Sequence, residues 1–289
     1  MPPCYNSGTF REGNFMLTEN ELKQQLQTIA ANDYRVPDNV DYWSVTLDMM
    51  AHLGSIDAEL RDKLIYTTFT KWAHAGLYSS DQYHTMLNIL LDDQHLLCGL
   101  GERDTDTVFM RSFSALLCVW PIYHHRQQPF LARHEVHATL DKVLEYFTRE
   151  NDLRGYVEVK SWAHAIAHTA DLLDELAQCE EIQRAGLLRI LEAIQVKAST
   201  IETIYTAEED ERLAYASLSL LGRDLLIERE IEPWIKSFAP IERVGEWRQR
   251  HLNTKNFLRS LYFQAKYRHI AEWVRAPIDE TLYAITRFK

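Results

Sequence analysis

Apolar residues recur three and four positions apart along most of the chain, the period of helices that bury one side. Thr18 followed by Glu21 forms a capping box, and Leu22, Leu26 and Ile29 give the inner face of a first helix. A loop over 32–39 precedes a second helix from Tyr42 to Leu53, stopped by Gly54. Asp57 opens a longer helix through Leu60, Leu64, Phe69 and Trp72 that ends near Gly76. Ser80-Asp81 caps the next, carrying Tyr83, Leu87, Leu90 and Leu91.

Residues 92–107 read as a loop, in which Asp104 or Asp106 caps a helix with Phe109, Phe113, Leu116 and Trp120 on one face. Pro121 ends that helix, and 123–130 is a connection. Further helices are expected at His134–Thr148, 160–176, Leu187–Val196, Ala207–Leu221, 223–236, 241–252 and 254–274. That makes about eleven or twelve, with no strand-like alternation. The predicted fold class is all-α, with residues 17–289 as a single helical domain and 1–16 as a loosely ordered segment. Trp-Ala-His-Ala occurs twice, in KWAHAG (71–76) and SWAHAI (161–166). The ninety-residue interval equals two HEAT-type repeats, so a helical-pair (HEAT/ARM-like) solenoid stands beside a compact helical array as the expected architecture.

Within this pattern the stretch KSWAHAIAHTADLLDEL (160–176) is unusual. Read as a helix, it lines up His164, His168, Asp171 and Glu175 at i, i+4, i+7 and i+11, with Trp162, Ile166, Thr169, Ala170, Leu172, Leu173 and Leu176 on the opposite arc. Two imidazoles and a carboxylate on adjacent turns can converge on one cation, so His164, His168 and Asp171 are metal-ligand candidates, needing a further ligand such as Glu102, Asp104 or Asp210. The spacing is not HExxH, and no Glu between the histidines offers a base. The simpler reading is a polar face packed on neighbouring helices, its acids paired with Arg or Lys. In GERDTDTVFMRSF, Asp104, Asp106 and Arg111 form either an acidic pocket with a guanidinium clamp or an N-cap with a structural ion pair. Asp152, Arg154 and Lys160 lie just before the histidine stretch, with Gly155 expected to supply unusual backbone angles. EEDER (208–212) complements a helix N-terminus.

Composition narrows the function classes. Of 289 residues, 46% are hydrophobic and 25% charged, which suits a packed core, while only 10 Gly and 8 Pro argue against all-β and dinucleotide-binding folds. A net charge of −11 opposes nucleic-acid and anionic-membrane partners. RQRHLNTKNFLR (248–259) is locally basic and reads as one face of a C-terminal helix. Cys4, Cys98, Cys118 and Cys179 are scattered without a CxxC pair, the usage of a reducing cytoplasm. The N-terminus lacks a basic region followed by an apolar one, and the longest apolar run, 115–123, is too short to span a bilayer. No GxSxG, phosphate-loop or dinucleotide fingerprint is present.

HLLCGLGERDTDTVFMRSFSALL, DLRGYVEVKSWAHAIAHTADLLDELA and EEDERLA resemble three blocks of the bacterial domain-of-unknown-function family 2785, from about Asp57 to about Trp234. The WAHAIAHTADLL block is the most specific, and Ser161 stands where the family commonly has Gly before the Trp. The resemblance implies an all-helical fold in the bacterial cytoplasm and brings no catalytic residues. The expected function is therefore a non-catalytic binding or interaction module for a protein or small-molecule ligand. Its polar concave face would draw on His164, His168, Asp171, Glu175, Arg111, Asp106, Asp104, Glu102 and Arg154. No cofactor is expected; a divalent metal enters only with the alternative. A metal-dependent hydrolase using His164, His168 and Asp171 is the alternative.

Overall fold

The computed structural model describes residues 16–242, 244–245 and 247–287. The expectation of a loosely ordered segment at 1–16 thus falls, save for Met16, outside the described residues, as does Cys4. Twelve α-helices and one two-stranded hairpin are present among the described residues, so the fold class is all-α. None of these helices is long and apolar enough to cross a membrane.

The chain resolves into two compact units. The first takes residues up to His124 together with Glu150–Ala165, and the second takes His125–Arg149 and the chain from Ile166 onward.

The first unit begins with α1 (Glu19–Ala31). The Thr18 hydroxyl accepts from the Glu21 amide while the Glu21 carboxylate accepts from the Thr18 amide, and Leu22, Leu26 and Ile29 are buried, as their spacing predicts. α2 (Tyr42–Ala51) is capped by Asp41. The helix expected from Asp57 opens as a π-helical segment, Glu59–Ile65, before α3 (Tyr66–His74). α4 (Ser80–Leu90) is capped by Ser79 rather than Ser80, because Gln82 lies three residues after Ser79 and closes a capping box with it. α5 (Thr107–Gln127) runs through Pro121 instead of ending there. Interior proline costs roughly 3 kcal/mol, and the complete burial of Leu117, Cys118 and Ile122 around it offsets that loss.

The largest departure from expectation lies at 152–165. Tyr156–Val157 (β1) pairs antiparallel with Ser161–Trp162 (β2), Tyr156 opposite Trp162 and Val157 opposite Ser161. Two-residue strands are too short to leave an alternating pattern. Gly155 has no positive φ; Val159, Ser161 and His164 carry the left-handed angles instead, at 70°, 64° and 49°. Main-chain bonds from Ala163 N to Gly155 O (2.8 Å) and from His164 N to Arg154 O (3.1 Å) close the turn. Ala163 and Ala165 then pack against Val108 and Phe109 of α5. The two Trp-Ala-His-Ala copies therefore occupy unlike structure, the end of α3 and a hairpin strand, and mark no repeated unit.

The second unit contains α6 (Arg133–Arg149), α7 (Ala165–Ala177, from Ile166), α8 (Arg184–Ala198), α9 (Glu209–Leu221), α10 (Glu228–Lys236), α11 (Trp247–Tyr267) and α12 (Glu272–Ile285). α8 packs on α6 and α9, α11 on α9 and α12, and α10 on α12. The break expected at Asn253 does not occur. Asn253 is buried inside α11 and ties down the loop before α9, accepting from Tyr205 N (3.0 Å) and donating to Thr200 O (3.0 Å) and Thr203 O (2.7 Å).

Candidate functional site

α7 starts at Ala165, one residue after His164, whose φ of 49° places it outside the helix. The expected four-residue stripe is thereby cut. His164 stacks on Trp162 of the hairpin, ring centroids 4.3 Å apart, and belongs to the first unit. His168, Asp171 and Glu175 belong to the second. Trp162, expected in the core, is 40% exposed on β2. Among the described residues no group of three His, Cys, Asp or Glu side chains gathers so as to hold a metal ion. His164, His168 and Asp171 are not brought together as ligands.

α7 itself is buried nearly all round. His168 and Asp174 are buried with the apolar residues, and only Asp171 and Glu175 reach the half-buried class. Each of these two meets an arginine from far along the chain: Asp171 accepts from Arg212 of α9, and Glu175 from Arg126 near the end of α5. Arg126 also donates to Gln178 Oε1 at 2.7 Å. Asp174 accepts from Gln178 Nε2 at 3.1 Å through one oxygen, and Ser219, Arg126 and Arg268 also favour its charged form. Burial pushes the Asp171 carboxyl above the usual range against the pull of Arg212. It does the same to Glu175 against Arg126, and to Asp174. The result is a row Arg212–Asp171–Glu175–Arg126 along one side of α7, its side chains between 15% and 42% exposed. The arginines were not legible, because each lies more than forty residues from its acid.

The remaining candidates form a separate network in the first unit. Arg111 is wholly buried and saturated. It donates to both oxygens of Glu150 (2.6 and 3.0 Å), to Cys98 O (2.8 Å), Gly99 O (3.2 Å) and Thr107 Oγ1 (2.8 Å). It is a structural ion pair and offers no clamp to a ligand. Glu150 left no such mark in the sequence, since its only local signal is a helix end. Arg154 grips the buried Asp152 through two bonds (2.7 and 2.6 Å), donates to Thr105 O (2.7 Å) and lies 3.7 Å from the exposed Asp104. Asp106 accepts both its bonds from Lys160 (2.7 and 2.8 Å). Glu102 accepts from the hydroxyls of Thr107 (2.7 Å) and Thr105 (3.0 Å), which hold its carboxyl below the usual range. Arg61 completes the set, bonding Ser55 O (2.6 Å) and Lys160 O (2.5 Å) with its guanidinium 4.1 Å from the Phe109 ring centre. These contacts fasten the 98–107 loop and the hairpin to α5.

The two free thiols are not poised for nucleophilic work: burial pushes Cys118 up and Cys179 up to about 12, so neither is a thiolate at neutral pH.

A family model described as "Protein of unknown function (DUF2785)" matches residues 96–263. No curated protein and no solved structure matches the chain. The match begins just before the 98–107 loop and includes the first network except Arg61 and its partner Ser55, the row on α7, the hairpin and most of α11. It takes in all three sequence blocks except the first residue, His95. Covering more than half of the chain, it settles the affiliation: this protein belongs to the DUF2785 family of proteins of unknown function.

Proposed function

We propose that this chain is a non-catalytic binding module of the cytoplasm, and that its recognition surface is the row Arg212–Asp171–Glu175–Arg126 with His168 and Asp174 behind it. The observation that carries the reading is the contrast between the two polar networks. Arg111, Glu150 and Asp152 are buried and spend their bonding capacity inside the fold. Asp171 and Glu175 instead each have one arginine and remain partly open to solvent. The carboxyls of Asp171 and Glu175 are offered beside the arginines that hold them, with Arg268 acting on Asp174 behind, so the row presents charges of both signs and favours a partner or ligand whose basic group can compete for those carboxyls.

The test compares the wild type with Asp171→Asn/Glu175→Gln in extracts of the source cells, following co-elution on size exclusion with identification by mass spectrometry. One discrete partner that co-elutes with the wild type and leaves the variant, at unchanged melting temperature, supports the reading. Hydrolysis of ester or phosphodiester substrates by the purified protein, abolished in His168→Ala, would replace it with an enzymatic one.

A further inference from the structure

The basic stretch 248–259 finds its place on α11. Arg248, Lys255 and Arg259 stand at i, i+7 and i+11, one stripe of that helix. Together with Arg287, just beyond the end of α12, they line a cleft of about 330 Å³ whose other walls are Trp247, His251, Leu252 and Asn256. No carboxylate lines it, and none of the four cations has an ion-pair partner among the described residues. Elsewhere in the same unit Arg126, Arg184, Arg189, Arg212, Lys236 and Arg275 each sit within ion-pair distance of an acid. In a chain of net charge −11, four like charges gathered in one cleft that no carboxylate lines among the described residues form a local field that attracts a multiply charged anion.

A second cleft of about 580 Å³ adjoins the first and shares Trp247, His251 and Arg287 with it. Its walls are mostly apolar, with Pro240, Ile241, Ala284 and Ile285; its one carboxylate, Glu280, lies 3.6 Å from its one lysine, Lys236, which Glu232 also holds at 2.6 Å. Trp247 stands at the junction, with the Arg248 and Arg287 guanidinium carbons 5.6 and 5.7 Å from its ring centre. The cations are therefore gathered at one end and the apolar wall at the other, with an indole between.

We infer that this double cleft is a binding site for a small phosphorylated ligand with a planar ring, as a nucleotide is. The phosphates sit among Arg248, Lys255, Arg259 and Arg287, and the ring lies against Trp247 in the adjoining cleft. Three of the four cations are arginines, whose planar fork matches phosphate through paired bonds. More than one negative charge is needed to balance them, which disfavours a simple carboxylate. The combined volume falls in the range of small-molecule sites. The site is independent of the row on α7 and stands whether or not that row binds a partner.

Isothermal titration of the full chain with ATP, pyrophosphate and adenosine at low ionic strength tests this. ATP should bind tightest, pyrophosphate more weakly and adenosine weakest, with ATP affinity falling steeply as salt rises. Arg248→Gln/Lys255→Gln should weaken ATP by about a hundredfold, on the order of tenfold for each cation removed, while Arg229→Gln, an exposed charge elsewhere in the unit, changes it by less than about twofold. Should the double variant fail to fold, the exposed Arg259→Gln gives the same comparison. The proposal is overturned if ATP gives no heat at about 1 mM, if pyrophosphate binds as tightly as ATP, if a single-stranded oligonucleotide binds tighter than both, or if the cleft variants bind ATP unchanged.

Discussion

Arg111 and Glu150, thirty-nine residues apart, meet through two parallel hydrogen bonds of 2.6 and 3.0 Å in a site where neither side chain touches solvent. The pair draws the start of the hairpin segment to the first turns of α5, since Glu150 Oε1 also accepts from the Asp152 amide at 2.9 Å. Breaking such a pair from one side leaves a buried charge uncompensated. Glu150→Gln should therefore destabilise the protein by about 3–5 kcal/mol, read by chemical denaturation. Arg111→Met combined with Glu150→Leu should lose less than Glu150→Gln alone. A double variant worse than the single would show that the carbonyls of Cys98 and Gly99 and the Asp152 amide, left without these partners, outweigh the penalty of orphaning a charge.

Val159 holds φ at 70° and is 88% exposed, so its side chain contributes almost no burial to offset a conformation that β-branched residues avoid. Val159→Asn should raise stability by about 1 kcal/mol, because Asn tolerates the left-handed region without adding glycine's freedom to the unfolded chain. A lower melting temperature would mean that the angle is not held in solution.

Much of the fold was legible because its signals are local. The Thr18–Glu21 box and the apolar spacing of Leu22, Leu26 and Ile29 lie within a few turns, and α1 formed where they point. The hairpin was illegible for the opposite reason. Trp162-Ala163-His164-Ala165 has helix-forming composition, yet Arg61, ninety-nine residues from Lys160, fixes that residue's carbonyl, and Ala163 packs into the Val108–Phe109 cluster. Tertiary contacts overrode propensity there. The candidate site shows the same division. The acids Asp171 and Glu175 were found from their helical spacing, whereas Arg212 and Arg126, which define their environment, are brought to them only by the packing of distant helices.

Two groups of carboxyls, one in each unit, should respond to acid in opposite senses. In the first unit Glu59 is held low by the hydrogen bond from Lys23, and Glu102 by the hydroxyls of Thr107 and Thr105. For these the unfolded chain takes up protons first, so their stabilisation is present above the ordinary value of 4.5 and is lost as pH falls through the lowered folded values. In the second unit burial raises Asp171, Asp174, Glu175, Glu209 and Asp210. Here the folded chain takes up protons first, and acidification through those raised values removes a cost of keeping buried charge. Hydrogen exchange corrected for intrinsic rates should show residues 57–60 and 99–107 opening as pH drops below 4.5, while 166–177 keeps its protection. Earlier opening of 166–177 would reverse the assignment.

Arg212 is the cation that opposes the rise of Asp171. Arg212→Gln should destabilise the second unit by about 1 kcal/mol at pH 7, the pair being partly exposed, and the loss should shrink as pH falls toward the ordinary aspartate range. In a double-mutant cycle with Asp171→Asn the two changes should be less than additive. Additive losses would show that the pair is not formed in solution.

The row on α7 is tested most directly inside the cell. A photo-crosslinking amino acid placed at Gln178, the half-buried neighbour of Arg126, samples whatever approaches Asp171 and Glu175. The binding account predicts one discrete cross-linked species, lost when Asp171→Asn/Glu175→Gln is added and retained when Arg189→Gln is added instead. No adduct, or an adduct indifferent to Asp171 and Glu175, would contradict it.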